Sequence, residues 1–216
     1  MPYQKITAAR WASRALPAHS KQYHALELSN WKLMLAMNVG GVLLLFLFGW
    51  LFMGVAAALN PQFFMLELRI FVQLLNLVSF IGTIFGVMLL HELIHALFFW
   101  LFSGERPRIG FHILYAYAAA PGWAFRLPVF FIIGAAPLLL ISLTGLLLLP
   151  AVSLAWSARI ILALTVNAAG SIGDILVLLW LLSQPRDCWI VDEGARITLY
   201  RQSEKKKNLP SAPNSL

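Results

Sequence analysis

The chain has 216 residues, of which 60% are hydrophobic and only 12% charged, and its formal net charge is +7. Globular domains carry about 45–50% apolar and about 25% charged residues, so a water-soluble enzyme, a disordered chain and a collagen-like fibre are all excluded. The single cysteine, Cys188, leaves no internal disulfide framework.

Residues 1–34 are polar and mixed in character, and an interfacial amphipathic helix anchored by Trp11, Leu16 and Tyr23 is expected there. Four apolar runs follow, at 35–59, 70–102, 128–149 and 158–182. Each is long enough to cross the bilayer core, which takes about 20 helical residues. The first begins too late and runs too long for a signal-peptide core, so it reads as a retained span. The second is longer than a crossing needs and is expected to tilt or protrude. Within the 103–127 loop, residues 108–127 are aromatic and β-rich, are broken by Pro121-Gly122, and read as a hairpin-like element. In the tail, 183–216, residues 189–200 read as two short strands around Asp192-Glu193-Gly194, and 203–216 as disordered. The expected fold is an all-α polytopic membrane protein, with four transmembrane helices and a short cytoplasmic β-hairpin element.

The charges sort by segment. Fourteen of the Lys and Arg residues fall before the first run, between the second and third, or after the fourth; only Arg69 and Arg159 fall in the other two connections. The positive-inside rule then places both termini and the 103–127 loop in the cytoplasm. The basic excess is thereby a topology signal, and no nucleic-acid motif accompanies it.

Two acids lie inside the apolar runs, Glu92 and Asp174, and two histidines, His91 and His95, flank Glu92. An ionisable group at the bilayer centre costs at least about 2.5–3.5 kcal/mol, which makes it a functional-site hypothesis by default. Residues 91–95 spell H-E-L-I-H. On a helix, positions four apart stand about 40° apart and one turn above each other, so both imidazoles reach one metal ion from one face. Glu92 sits about 100° round from His91, beside the metal, where it can act as general base on a zinc-bound water whose pKa falls toward about 7.

A catalytic zinc site usually has three protein ligands and one open position. Leu93, at the motif centre, is nine residues before Phe102, and Asp174 is eight before Leu182. At about 1.5 Å per residue both lie about 12–14 Å below the same boundary, which makes Asp174 the candidate third ligand. Asn167, Gly170, Ser171 and Asp174 follow at i, i+3, i+4 and i+7 and form one small, polar stripe. Asn167 and Ser171 are candidates for binding substrate or supporting the ligands, Asn167 by hydrogen-bonding substrate backbone or a developing oxyanion or by bonding a neighbouring helix. His19, His24 and His112 lack ligand spacing and read as surface or interfacial residues. Pro137, with Gly134 and Gly145, reads as a kink or a packing feature of the third run, and Cys188 as an ordinary free thiol outside the spans.

H-E-L-I-H in one apolar helix, then N-A-A-G-S-I-G-D (167–174) in the second span after it, resembles the site-2 protease class of intramembrane zinc metalloproteases. More narrowly it is similar to a small bacterial membrane family of zincin peptidases. The likeness covers about 70–182. Asp174 stands between Gly173 and Ile175 rather than in the class's L-D-G, and no Pro lies between Asn167 and Asp174. The resemblance implies Zn2+ on His91, His95 and Asp174, Glu92 as base, and a β-hairpin-like loop after the motif helix, where 108–127 lies. It also implies residence in a bacterial inner membrane and a membrane protein or peptide as substrate. The alternative is a non-proteolytic metal-binding membrane protein, a divalent-metal carrier or sensor. The outer halves of the runs are nearly devoid of ionisable groups, which disfavours a transport path. Substrate identity and oligomeric state are left open.

Overall fold

The structure, a computed structural model, describes residues 11–60, 77–111 and 116–202. Strands β1 (Ala12–Ser13) and β2 (Ser20–Glu27) come first, then helix α1 (Trp31–Leu59) and helix α2 (Leu77–Ser103). Strands β3 (Arg108–Phe111), β4 (Ala116–Ala119) and β5 (Ala124–Arg126) lead into α3 (Leu127–Leu148) and a short 3-10 turn (Leu149–Ala151). Helices α4 (Leu154–Gly170) and α5 (Ile172–Leu182) follow, then strands β6 (Trp189–Asp192) and β7 (Arg196–Gln202).

The helix boundaries follow local chemistry. Asn30 caps α1, its side-chain oxygen accepting the Lys32 N–H at 3.0 Å. Pro128 opens α3, where a missing N–H costs nothing. Helices α1, α2 and α3 are each long and apolar enough to cross a membrane, and α4 with α5 makes a fourth if the pair, bent by 43°, is one span. The run expected as one transmembrane helix over 158–182 is therefore broken at Ser171. The start expected for the second span, residue 70, lies outside the described residues.

The β content is larger than a single hairpin. Five antiparallel strands pair in the order β1-β5-β6-β7-β2, and β3 pairs with β4 in a separate two-stranded sheet. Within the N-terminal segment, where an interfacial helix is expected, Trp11 is helical but 12–13 and 20–27 are strand: Ala12 lies opposite Phe125, and Ser20 to Glu27 run along β7. Pairing with β7 satisfies backbone groups that a helix would satisfy internally, and Ala12 becomes fully buried. Residues 1–10 and 203–216, including the expected disordered tail, lie outside the described residues. The hairpin at 189–200 is β6 and β7, closed by Gly194 at φ 85°, a left-handed turn position suited to glycine.

Residues before α1, between α2 and α3, and after α5 all contribute strands to the five-stranded sheet, so these three segments meet at one end of the bundle. The core beneath the sheet joins Phe125, Ile190 and Leu199 to Phe99 of α2, Ile133 of α3 and Leu181 of α5. Cys188, expected as an ordinary thiol outside the spans, is fully buried in this core. A second cluster, with Phe52, Val87, Ile141, Ile161 and Leu164, fills the other half of the bundle.

Small residues set the helix spacing, as expected in a lipid environment. A Cβ on Gly145 of α3 would lie 2.4 Å from the Leu164 side chain of α4, and Leu164 is fully buried. Gly145→Val should therefore overpack this crossing and cost about 1–3 kcal/mol, read as a lowered thermal midpoint of the detergent-solubilised protein. An unchanged midpoint would show that Leu164 gives way freely.

Candidate metal centre

Three side chains converge between α2 and α5. His91 and His95 stand on successive turns of α2, and Asp174 in the first turn of α5 reaches both. Asp174 Oδ2 is 3.0 Å from His91 Nε2, and Asp174 Oδ1 is 3.4 Å from His95 Nε2. One donor atom from each residue lies within 4.8 Å of the others, the only such group among the described residues. Both imidazoles are nearly closed off from solvent, at 8% exposure each.

The break in the fourth run explains the position of Asp174. Ser171 donates its hydroxyl to the Asn167 carbonyl at 2.8 Å, and its own N–H goes to the same carbonyl at 2.9 Å. Helix α5 restarts at Ile172, so Asp174 sits in a first turn, where unpaired N–H groups favour a carboxylate. Helix α1 packs closely on this break, since a Cβ on Gly41 would lie 3.3 Å from the Ala169 carbonyl oxygen.

The outward-facing nitrogens of the two rings are also fixed. His91 Nδ1 lies 3.0 Å from Asn167 Oδ1, and His95 Nδ1 lies 3.0 Å from the Ile133 carbonyl oxygen. With Nδ1–H donated to these oxygens, each ring in its neutral form presents an unprotonated Nε2 toward Asp174. That is the tautomer a metal needs, held by the partner groups typical of histidine ligands. Donor atoms around one tetrahedral zinc, bonded at about 2.0–2.2 Å, stand about 3.3 Å apart. The 3.0 and 3.4 Å separations, one to each Asp174 oxygen, are of that order, and one donor atom from each residue lies within 4.8 Å of the others.

Glu92 is outside this donor group. Its carboxylate lies within electrostatic reach of His91, His95 and Asp174, and the backbone N–H of Ala118 in β4 is directed at it. Asn167, 3% exposed, turns its oxygen to His91, and its Nδ2 has no partner among the described residues. Ser171, fully buried, serves the helix break. His24 sits in β2 opposite Leu199, and His19 is a turn residue at φ 63°. His112 lies outside the described residues.

Asp192 carries no sequence signal beyond its place in a turn, yet it lies close enough to His95 and Asp174 for their charges to act on its carboxyl. Its Oδ1 accepts the Gly194 N–H at 2.7 Å. Burial pushes the Asp192 carboxyl up to about 7, with Asp174 and Glu193 adding to the rise and the Gly194 N–H and His95 opposing it. The turn is packed by Tyr117, whose ring lies 3.2 Å from where a Gly194 Cβ would be.

Two outcomes follow from this geometry. Asn167→Leu, close in volume, leaves His91 Nδ1 without its acceptor and should weaken zinc binding about 10–100-fold, measured by competition with a chelator; unchanged affinity would remove Asn167 from the ligand support. An acid whose pKa is higher folded than unfolded destabilises the fold once it ionises. The metal-free protein should therefore lose stability as pH rises from about 4 toward about 7, and Asp192→Asn should flatten that loss. Parallel melting curves for the two proteins across this range would contradict it.

No curated protein and no solved structure matches the chain. Residues 84–189, just under half of its length, match the family model described as "Putative zincin peptidase". This segment contains the H-E-L-I-H helix, the β3–β4 hairpin and the broken fourth run, so over the part that carries His91, Glu92, His95 and Asp174 the chain is similar to the zincin-like peptidases.

Proposed function

We propose that the chain is an intramembrane zinc metalloprotease of the site-2 kind, hydrolysing peptide bonds of membrane-associated substrates. The observation that carries this reading is the His91–His95–Asp174 donor group with Glu92 beside it, on helices apolar enough to span a membrane. On this reading both termini and the five-stranded sheet are cytoplasmic, in line with the positive-inside rule.

His91, His95 and Asp174 would hold the metal, and a zinc ion there would supply a Lewis acid for the scissile carbonyl and acidify a water. Glu92 takes a proton from that water as its oxygen attacks the carbonyl carbon. When the C–N bond breaks, Glu92 returns the proton to the departing amine nitrogen, so the base is regenerated. A helical substrate must first unwind to expose its carbonyl. Among the described residues β4 has a strand partner, β3, on one edge only, and the Ala118 amide faces Glu92. An extended substrate segment adding to β4 would run beside the base.

Glu92→Gln should keep the zinc content of the wild type and slow cleavage of a reconstituted single-span substrate about 10²–10⁴-fold. Asp174→Ala should lose zinc affinity. Full activity in zinc-loaded Glu92→Gln, or wild type without metal, would refute the protease reading; unchanged affinity in Asp174→Ala would remove that ligand. A metal carrier or sensor would bind zinc and cleave nothing.

A further inference from the structure

Pro137 lies inside α3, four residues after Ile133. In a regular helix the carbonyl of residue i accepts the N–H of residue i+4. Proline has no N–H, and its ring crowds the carbonyl four residues earlier, tilting it off the helix axis. Ile133 is therefore the residue in the interior of α3 whose carbonyl lacks its helical donor for this reason (Leu146, four before Pro150, stands in the last turn), and its oxygen lies 3.0 Å from His95 Nδ1. Ile133, Pro137 and His95 are all buried, so water is a poor substitute partner for either group. An unpaired carbonyl at membrane depth is strongly unfavourable, and so is an unpaired buried imidazole N–H. Each satisfies the other.

We propose that Pro137 is a positioning residue of the metal centre: by withholding a backbone donor, it reserves the Ile133 carbonyl for His95 Nδ1–H and so fixes the ring with Nε2 toward Asp174. This rests on the reading of His95 as a metal ligand. The two histidines are thereby tethered by different means. His91 leans on a side chain, Asn167 of α4, and His95 on a main-chain oxygen of α3. The second tether carries no side-chain mark at the accepting residue; its mark is the proline one turn later.

Pro137→Ala restores an N–H that competes for the Ile133 oxygen. In the full-length protein in micelles it should weaken zinc binding about tenfold and move the His95 Nδ1–H proton resonance toward the position of a weaker hydrogen bond. Replacing residue 137 with lactic acid, the ester analogue of alanine, removes the ring but supplies no N–H, and should return both readouts to near wild type. Wild-type zinc affinity and resonance in Pro137→Ala would overturn the proposal. A lactic-acid protein as weak as the alanine variant would also overturn it, by assigning the effect to the ring. If wild type binds no zinc, the ligand reading fails by itself. The His95 resonance of the metal-free protein then still reports the Pro137 effect: the expected shift upholds the tether, and its absence overturns it.

Discussion

A carboxylate inside an apolar bundle persists only where its charge is met, and Asp174 faces two imidazole Nε2 atoms at 3.0 and 3.4 Å, a set that a shared cation would complete. Each imidazole must in turn be held, since a ring free to rotate or to change tautomer would not offer its Nε2 to that cation. Asn167 and the Ile133 carbonyl do this from α4 and α3. The constellation thus draws on α2, α3, α4 and α5. Loss of any one hydrogen bond exposes a polar group to an interior that cannot solvate it. The rest of the bundle can be understood as what brings these four helices to the required spacing.

The break at Ser171 is central to that spacing. A straight helix over the fourth run would place Asp174 in mid-helix, with no free N–H groups near it. The 43° bend starts a new helix at Ile172 and gives the carboxylate a first-turn position. Breaks of this kind are tolerated inside a membrane only where other groups satisfy the backbone. The Ser171 hydroxyl does so locally, and the close approach of Gly40 and Gly41 from α1 shields the site. A larger residue at Gly41 would meet backbone rather than a yielding side chain.

The sheet joins the segments that carry most of the positive charge. The N-terminal segment, the loop after α2 and the tail hold fourteen of the sixteen Lys and Arg residues, and these same three segments pair as β1 and β2, β5, and β6 and β7. Charge and hydrogen bonding agree on which segments share an end of the bundle. The pairing also carries Asp192, from beyond the last helix, into the electrostatic surroundings of His95 and Asp174.

Sequence alone determined the elements whose signal is local and costly to violate. Long apolar runs mark helices because lipid leaves the backbone no other partner. H-E-L-I-H at helical spacing sets two imidazoles on one face, and counts of nine and eight residues from the run ends put Asp174 near their level. The turn at Asp192-Glu193-Gly194 was legible because few residues tolerate its backbone. What only the tertiary structure decided depends on partners distant in the chain. Residues 12–13 and 20–27 are strand because β5 and β7 offer them edges to pair with, which no local pattern there announces. Asn167 reaches His91 because α4 lies against α2 at that height. Ile133 holds His95 through a backbone oxygen, and a backbone oxygen is common to every residue, so its side chain gives no sign of the role. Only the packing of α3 on α2 selects that carbonyl.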